Sequence, residues 1–187
     1  PQPDFVACCN NICNCMIKWY ENIAKELNIP MILIDVPYNN EYEAEEDRVE
    51  YLKGQFDHAI KQLEDLTGKK WDEKKFEEVM ENSQRTGRAW LEATGYAKYT
   101  PSPFSGFDIF NHMAVAVCAR GKLESAIAFE KLTEEFEENV KNGVSTFKGE
   151  EEYRILFEGI ACWPHLRHTF KQLKDSGVNV CGTVYAD

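Results

Sequence analysis

Two apolar runs with a helical pattern between them constrain the fold of this chain more than any other feature of its sequence. Residues 5–9 are apolar throughout, as expected for a strand covered on both faces in a parallel sheet, and residues 31–36 predict a second strand. Between them, apolar residues recur at spacings of three and four, which predicts a helix with one apolar stripe: Ile12, Met16, Trp19, Ile23 and Leu27. A strand, a helix and a strand with short connections form a right-handed βαβ unit, so we predict parallel strands that end at one sheet edge.

A second pattern of the same kind closes the sequence. Residues 153–157 predict a strand, 165–176 a helix and 178–185 another strand, while the long region before them is helical and heavily charged. The fold class predicted is α/β, with two Rossmann-like parallel-sheet lobes, both truncated here, separated by a helical insert. The first lobe covers residues 1–40, the insert 41–150 and the second lobe 151–187. Because both ends of the chain fall at strands that need neighbours, we expect an internal piece of a longer protein.

The charge balance excludes one class of partner. The chain has 187 residues, 43% of them apolar, and can bury a sizeable core, but its net charge is −11. Nucleic-acid binding needs a basic stripe, so we expect no nucleic-acid partner. No apolar run is long enough to cross a bilayer and no secretory signal opens the sequence, which predicts no membrane contact and a cytoplasmic location. In that compartment the seven cysteines stay reduced, which favours metal binding or chemistry over disulfides.

Four cysteines near the start of the chain suggest a metal site, but their spacing does not fit a complete one. Cys8, Cys9, Cys13 and Cys15 lack the regular two-residue spacing of ferredoxin-type clusters, and no second pair matches them as structural zinc requires. On a helix, Cys13 and Cys15 would point about 200° apart, because each residue turns the helix by about 100°. We therefore expect these two to be buried small side chains.

Cys9 is the candidate ligand or nucleophile of this group. Successive strand residues point to opposite sides, so at most one of Cys8 and Cys9 faces the end of the sheet where ligands bind. Cys9 is last in the strand, and Asn10 or Asn11 is expected to cap the following helix. The positive end of the helix dipole would then lower the pKa of the Cys9 thiol. The alternative is a buried strand-end cysteine without a ligand role.

Cys162 occupies the equivalent position in the second βαβ pattern. The segment Cys162-Trp-Pro-His165 follows the third predicted strand, where position favours function over packing, although Cys162 alone stays ambiguous. No Gly-x-Gly-x-x-Gly or phosphate loop is present, and no Ser or Cys nucleophile has a recognisable base beside it. These absences argue against the usual nucleotide-binding and hydrolase functions, and no catalytic residue is identified.

Several segments together resemble one known family, the subunits of 2-hydroxyacyl-CoA dehydratases and benzoyl-CoA reductases. The resemblance covers the whole chain in order, and its motifs are specific in combination: Asp4-Phe-Val, Cys9-Asn10, Lys18-Trp19-Tyr20, Leu33-Ile-Asp-Val-Pro-Tyr38 and Tyr153-Arg-Ile-Leu-Phe-Glu-Gly-Ile-Ala-Cys-Trp-Pro164. It implies two related subunits, each with two Rossmann-like lobes that hold a [4Fe-4S] cluster through three cysteines. One iron stays open, and a separate ATP-dependent activator donates a single electron.

The resemblance also implies which residues serve these roles. The family ligand before Asn or Asp at the first strand end falls on Cys9, and the other two ligands are expected before residue 1 and after residue 187. A pocket for the acyl-CoA substrate is expected at the same sheet edge, with these substrate-binding candidates: Asn10, Asn11, Pro37, Tyr38, Ser105, Gly159, Cys162 and Trp163.

The implied chemistry is removal of water from a 2-hydroxyacyl-CoA. The β-proton of that thioester is not activated, whereas one-electron reduction of the carbonyl gives a ketyl radical anion that can expel the hydroxyl, with the cluster as electron donor and Lewis acid. We therefore expect a lyase, a subunit of an (R)-2-hydroxyacyl-CoA dehydratase. Two alternatives remain open: a subunit of a benzoyl-CoA reductase, and a clusterless paralogue that serves as a binding or maturation partner.

Overall fold

The computed structural model describes residues 2–11 and 13–185. The chain divides into two compact units, residues 1–72 and 73–187. Both units contain two parallel strands with a helix between them, so the predicted α/β class is confirmed. The predicted domain boundaries, after residues 40 and 150, stay predictions.

The first unit is built around the predicted βαβ motif. Strands β1 (Val6–Cys9) and β2 (Met31–Ile34) pair in parallel, with Val6 opposite Met31 and Cys9 opposite Ile34. Helix α1 (Asn14–Leu27) connects them, and helix α2 (Glu46–Thr67) follows β2. Strand β2 ends two residues earlier than predicted because the next two backbone N–H groups donate to side chains, from Asp35 to Gln55 and from Val36 to Asn10.

Helix α1 differs from the prediction in its start and in its buried face. Its N-cap is Cys13, so neither Asn10 nor Asn11 caps it. Ala24 is its buried residue, and the small side chain allows close approach to the sheet, whereas Trp19 is 65% and Ile23 42% exposed. The predicted stripe is therefore wrong at these two positions, and Ile12 lies outside the described residues.

The second unit contains the remaining helices and strands. They follow one another as α3 (Glu73–Gly95), α4 (Gly106–Cys118), α5 (Leu123–Asn142), β3 (Tyr153–Phe157), α6 (Leu166–Asp175) and β4 (Val178–Thr183). Strands β3 and β4 are parallel, and their register shifts between Ile155 and Leu156. Short 3-10 helices lie at Tyr96–Lys98 and Trp163–His165. Among the described residues, no helix is long and apolar enough to cross a membrane.

Aromatic side chains hold the helices of the second unit together. The rings of Trp90 on α3 and Phe129 on α5 lie 5.0 Å apart, and Phe104 stacks on Phe136 at 4.7 Å. All four side chains are buried, and burial of such side chains is the largest favourable contribution to folding. This cluster holds α3 and α5 together. Helix α4 extends from this helix pair to the sheet.

A second cluster attaches α4 and α6 to the sheet. Phe110, Phe170 and Val180 are all buried there. The buried Asn179 of β4 accepts a hydrogen bond from the Gly106 N–H at 3.1 Å and donates to the Phe104 carbonyl at 3.3 Å. Because a buried amide is costly when its partners are missing, these bonds fix where α4 begins relative to β4.

Candidate functional site

Cys9 ends strand β1 with a half-buried, free thiol. Its Sγ donates a hydrogen bond to Asn11 Oδ1 at 2.8 Å, and the Asn11 side chain is exposed. Among the described residues its sulfur therefore has one hydrogen-bond partner, which belongs to an exposed side chain.

The neighbouring cysteines have different surroundings. Burial raises the pKa of the Cys8 thiol, and the nearby Cys9 and Glu21 add to the rise, so Cys8 favours the protonated form. Cys13 and Cys15 are exposed, which corrects the prediction that they are buried: Cys13 precedes α1, and Cys15 lies on the exposed side of its first turn. The backbone N–H of Met16, and then that of Cys15, lowers the pKa of the Cys13 thiol. The helix terminus predicted to act on Cys9 lies at Cys13 instead.

Asn10 joins the ends of both strands of the first unit. Its Oδ1 accepts the backbone N–H of Val36 at 2.6 Å, and its Nδ2 donates to Asp35 Oδ1. Both polar ends of the amide are thus engaged within the protein. A substrate-binding role for Asn10 and for its neighbour Asn11 stays a prediction.

Asp35 connects Asn10 to helix α2. Its Oδ2 accepts the Tyr51 hydroxyl at 2.6 Å, and its backbone N–H donates to Gln55 Oε1 at 3.2 Å. The hydrogen bond to the Asp35 carboxylate raises the pKa of Tyr51, with burial as a smaller cause. The sequence patterns did not predict this network, although an acid directly after a strand and polar residues four apart on a helix were signals for it.

Pro37 and Tyr38 leave β2 at the sheet edge where Cys9 ends β1, since the two strands are parallel. Pro37 is half-buried, and the Tyr38 side chain is 85% exposed. The structure therefore brings Cys9, Asn10, Pro37 and Tyr38 to one edge, as the βαβ pattern predicted. Contact of Pro37 and Tyr38 with a substrate stays a prediction.

Gly159, Cys162 and Trp163 follow the carboxyl end of β3 in the second unit. Gly159 adopts φ of +100°, a conformation that residues with a side chain rarely take. Cys162 is exposed, and Trp163 packs with its ring centroid 6.0 Å from that of Phe110. This loop is fixed by its aromatic anchor and leaves the thiol accessible, while its substrate role stays a prediction.

Ser105 lies away from that loop. It is the N-cap of α4, with its Oγ donating to Asp108 Oδ2 at 2.8 Å, and the helix begins beside Asn179 near the amino end of β4. Ser105 borders a cavity of about 380 Å³, which the cations Arg167, Lys171 and Lys174 also line. The structure gives Ser105 a capping role, and its expected contact with a substrate stays a prediction.

The two parallel βαβ motifs define the class of this chain, a Rossmann-like α/β protein. A free thiol lies at the end of its first strand. Comparison with known proteins identifies the family. Residues 1–186 match the family described as 2-hydroxyglutaryl-CoA dehydratase, D-component. The chain belongs to this family of 2-hydroxyacyl-CoA dehydratases.

Individual relatives agree with the family match. The alpha subunit of (R)-phenyllactyl-CoA dehydratase from Clostridium sporogenes is 67% identical over 187 residues, 100% of this chain and 46% of that protein. The alpha subunit of (R)-2-hydroxyglutaryl-CoA dehydratase from Acidaminococcus fermentans is 56% identical over 186 residues, 100% of this chain and 39% of that protein. One subunit of the benzoyl-CoA reductase from Thauera aromatica is 26% identical over 195 residues, 99% of this chain and 45% of that protein. The chain thus spans less than half the length of these relatives.

Among the side chains of this chain that can bind a metal, one cysteine fits the role of a single ligand of an iron-sulfur cluster. Among residues 2–11 and 13–185, no three His, Cys, Asp or Glu side chains come together as a metal site. Cys9 has the features of a single ligand, since it is a free thiol at a strand end whose one hydrogen-bond partner is an exposed, movable side chain. A [4Fe-4S] cluster needs further thiolates besides Cys9, and residues 2–11 and 13–72 do not group them around it.

Proposed function

We propose that the complete protein is a subunit of an (R)-2-hydroxyacyl-CoA dehydratase, a lyase that eliminates water from a 2-hydroxyacyl-CoA to give a 2-enoyl-CoA. The observation that carries the proposal is the accessible Cys9 thiol at the carboxyl end of β1, where α/β proteins bind their ligands. Identity to dehydratase alpha subunits of 56% and 67% supports it.

Cys9 serves in this proposal as one of three cysteine ligands of a [4Fe-4S] cluster. When bound, such a cluster supplies an electron and a Lewis acid to the thioester, which permits loss of the hydroxyl through a ketyl radical. The chain's own contribution is to hold one thiolate at the sheet edge and to leave it open to the ligand. Pro37 and Tyr38 at the same edge would border the acyl-CoA.

The proposal includes two protein partners and a compartment. The alpha-subunit names of the dehydratase relatives support a heterodimer with a second, related subunit. An ATP-dependent iron-sulfur activator is the proposed electron source. Free thiols at all seven cysteines agree with a reducing compartment, for which we propose the cytoplasm.

A benzoyl-CoA reductase subunit is the second candidate, supported by the 26% identity to such a subunit. Reduction of an aromatic ring needs the same kind of electron donor but releases no hydroxyl. The higher identity to dehydratases favours elimination of water. The third alternative, a clusterless binding or maturation partner, predicts that the complete protein carries no iron.

An assay of the complete protein, produced without oxygen together with its partner subunit and activator, tests the proposal. We expect ATP-dependent formation of a 2-enoyl-CoA from at least one of a set of aliphatic and aromatic 2-hydroxyacyl-CoA substrates, and no consumption of benzoyl-CoA. Reduction of benzoyl-CoA without any dehydration would establish the second candidate. An assembled, iron-free protein would exclude both enzymes.

A further inference from the structure

We propose that Asn10, Asp35 and Tyr51 form a positioning network for Cys9, which holds the thiolate in the orientation that the cluster needs. The inference rests on the proposed function, because it assumes that Cys9 is a cluster ligand. It assigns to Asn10 a role in orienting the ligand in place of the substrate contact expected from sequence.

The network begins with a residue that uses its amide as donor and acceptor at once. Asn10 Oδ1 accepts the Val36 N–H at 2.6 Å, and Asn10 Nδ2 donates to Asp35. An aspartate could accept the N–H but would repel the Asp35 carboxylate, and an alanine could do neither. Asparagine therefore meets both demands of this position in the present chain, beside the carboxylate of Asp35.

Helix α2 supplies the other end of the network. Tyr51 donates to the second carboxylate oxygen of Asp35 at 2.6 Å, and Gln55, one turn later, accepts the Asp35 N–H at 3.2 Å. Both oxygens of Asp35 are thus occupied, so the carboxylate cannot turn away from Asn10. The ends of two strands and one helix are fixed relative to one another.

The network acts on Cys9 because that residue lies between two fixed points. On one side Cys9 belongs to β1, in register with Ile34, and on the other side its covalent neighbour is Asn10. Cys9 and Asn10 share one planar peptide group, so holding Asn10 in place restricts the backbone torsion that sets the direction of the Cys9 side chain. Within the described part of the chain, the hydrogen bond of the Cys9 thiol goes to the exposed Asn11 side chain alone, which leaves the backbone to set the direction of the thiol. Partners that orient metal ligands affect metal affinity by about 10- to 100-fold.

The experiment uses the complete protein, assembled with its partner subunit and purified without oxygen. The variants are Asn10→Ala, which removes the first step of the network, and Tyr51→Phe, which removes only the hydroxyl from its far end. Asn22→Ala and Tyr42→Phe are matched controls in the same unit, since neither side chain makes a hydrogen bond within the part of the chain that the structure describes. Three quantities are measured: the melting temperature, the chelator concentration that removes half of the iron, and the electron paramagnetic resonance spectrum of the reduced cluster.

We expect Asn10→Ala to lower the half-removal concentration of chelator by about 10- to 100-fold and to change the spectrum. Tyr51→Phe should shift the half-removal concentration and the spectrum in the same direction by a smaller factor, because Asp35 and Asn10 lie between Tyr51 and Cys9 in the network. Both controls should behave as the unchanged protein does. If Asn10→Ala does not fold, the inference is tested by Tyr51→Phe alone, whose iron retention and spectrum are compared with those of Tyr42→Phe.

Melting temperatures that fall while iron retention and spectra match the controls would show that the network is only a structural turn, and the inference would be wrong. Cys9→Ala separates this result from failure of the proposed function. Because the partner subunit is expected to hold a cluster of its own, iron is counted per assembled pair. Loss of this subunit's share of the iron in Cys9→Ala, with unchanged iron retention in Asn10→Ala and Tyr51→Phe, refutes the positioning role alone. Full iron content in Cys9→Ala refutes the ligand assignment on which it rests.

Discussion

Cysteines that look equivalent in the sequence differ because the backbone gives each one different surroundings. Cys8 and Cys9 are adjacent in β1, yet Cys9 donates to an exposed side chain and burial raises the pKa of Cys8. Strand parity predicted that at most one of the two faces the ligand-binding end of the sheet, and this assignment stays a prediction. The surroundings of Cys13 could not be predicted, because they depend on where α1 begins.

The order in which Cys8 and Cys13 lose their protons is a testable consequence. The pKa of Cys13 is lowered by backbone N–H donors, and that of Cys8 is raised by burial. As pH rises, the Cys13 thiolate forms first, so iodoacetamide should alkylate Cys13 at a lower pH than Cys8. Fragment-ion mass spectrometry after short labelling pulses at increasing pH locates the two products. Labelling of Cys8 first would contradict the assignment of the helix terminus to Cys13.

At the scale of elements, the approach of α4 to the sheet depends on a glycine. A Cβ placed on Gly106 would lie 2.4 Å from Val180 Cβ and 2.7 Å from Phe170 Cε1, distances that no packed core tolerates. The same residue donates its N–H to the buried Asn179, so the helix cannot retreat without losing that bond. Gly87, within α3, has no such neighbour within 4 Å.

We predict opposite effects for alanine at these two glycines. Gly106→Ala should lower the free energy of unfolding by about 1–3 kcal/mol, the usual cost of overpacking a core. Gly87→Ala should raise it by up to about 1 kcal/mol, because alanine favours the helix and meets open space. Urea denaturation of the two variants and the unchanged chain measures both effects. Equal stabilities would mean that α4 does not pack closely against β4.

The elements also show what a sequence can and cannot predict. Apolar runs and helical spacing predicted both parallel strand pairs and the helix between the strands of each pair, because burial on one or two faces leaves a periodic pattern. The buried face of α1 was predicted incorrectly at Trp19 and Ile23, since spacing alone does not say which side of a helix meets the sheet. The network of Asn10, Asp35 and Tyr51 joins residues up to 41 positions apart. The acid after β2 and the polar residues four apart on α2 were signals for it, but no local pattern says which distant residues meet.

At the scale of the whole molecule, we propose that the chain carries one part of a site whose other parts lie outside it. It spans 39–46% of the length of the relatives compared with it. Within the described residues a single strand-end thiol has the surroundings of a ligand, and no three-ligand group forms. The central claim is therefore that Cys9 supplies one thiolate to a cluster whose other ligands lie outside these residues.

Iron and acid-labile sulfide in the complete protein, purified without oxygen, test this claim most directly. The comparison is between the unchanged protein, Cys9→Ala and Cys13→Ala, with circular dichroism to show that each is folded. We predict about four iron and about four sulfide per subunit in the unchanged protein and in Cys13→Ala, and their loss in Cys9→Ala, because a [4Fe-4S] cluster needs its thiolates. Retention of the cluster in Cys9→Ala, or its loss in Cys13→Ala alone, would contradict the account.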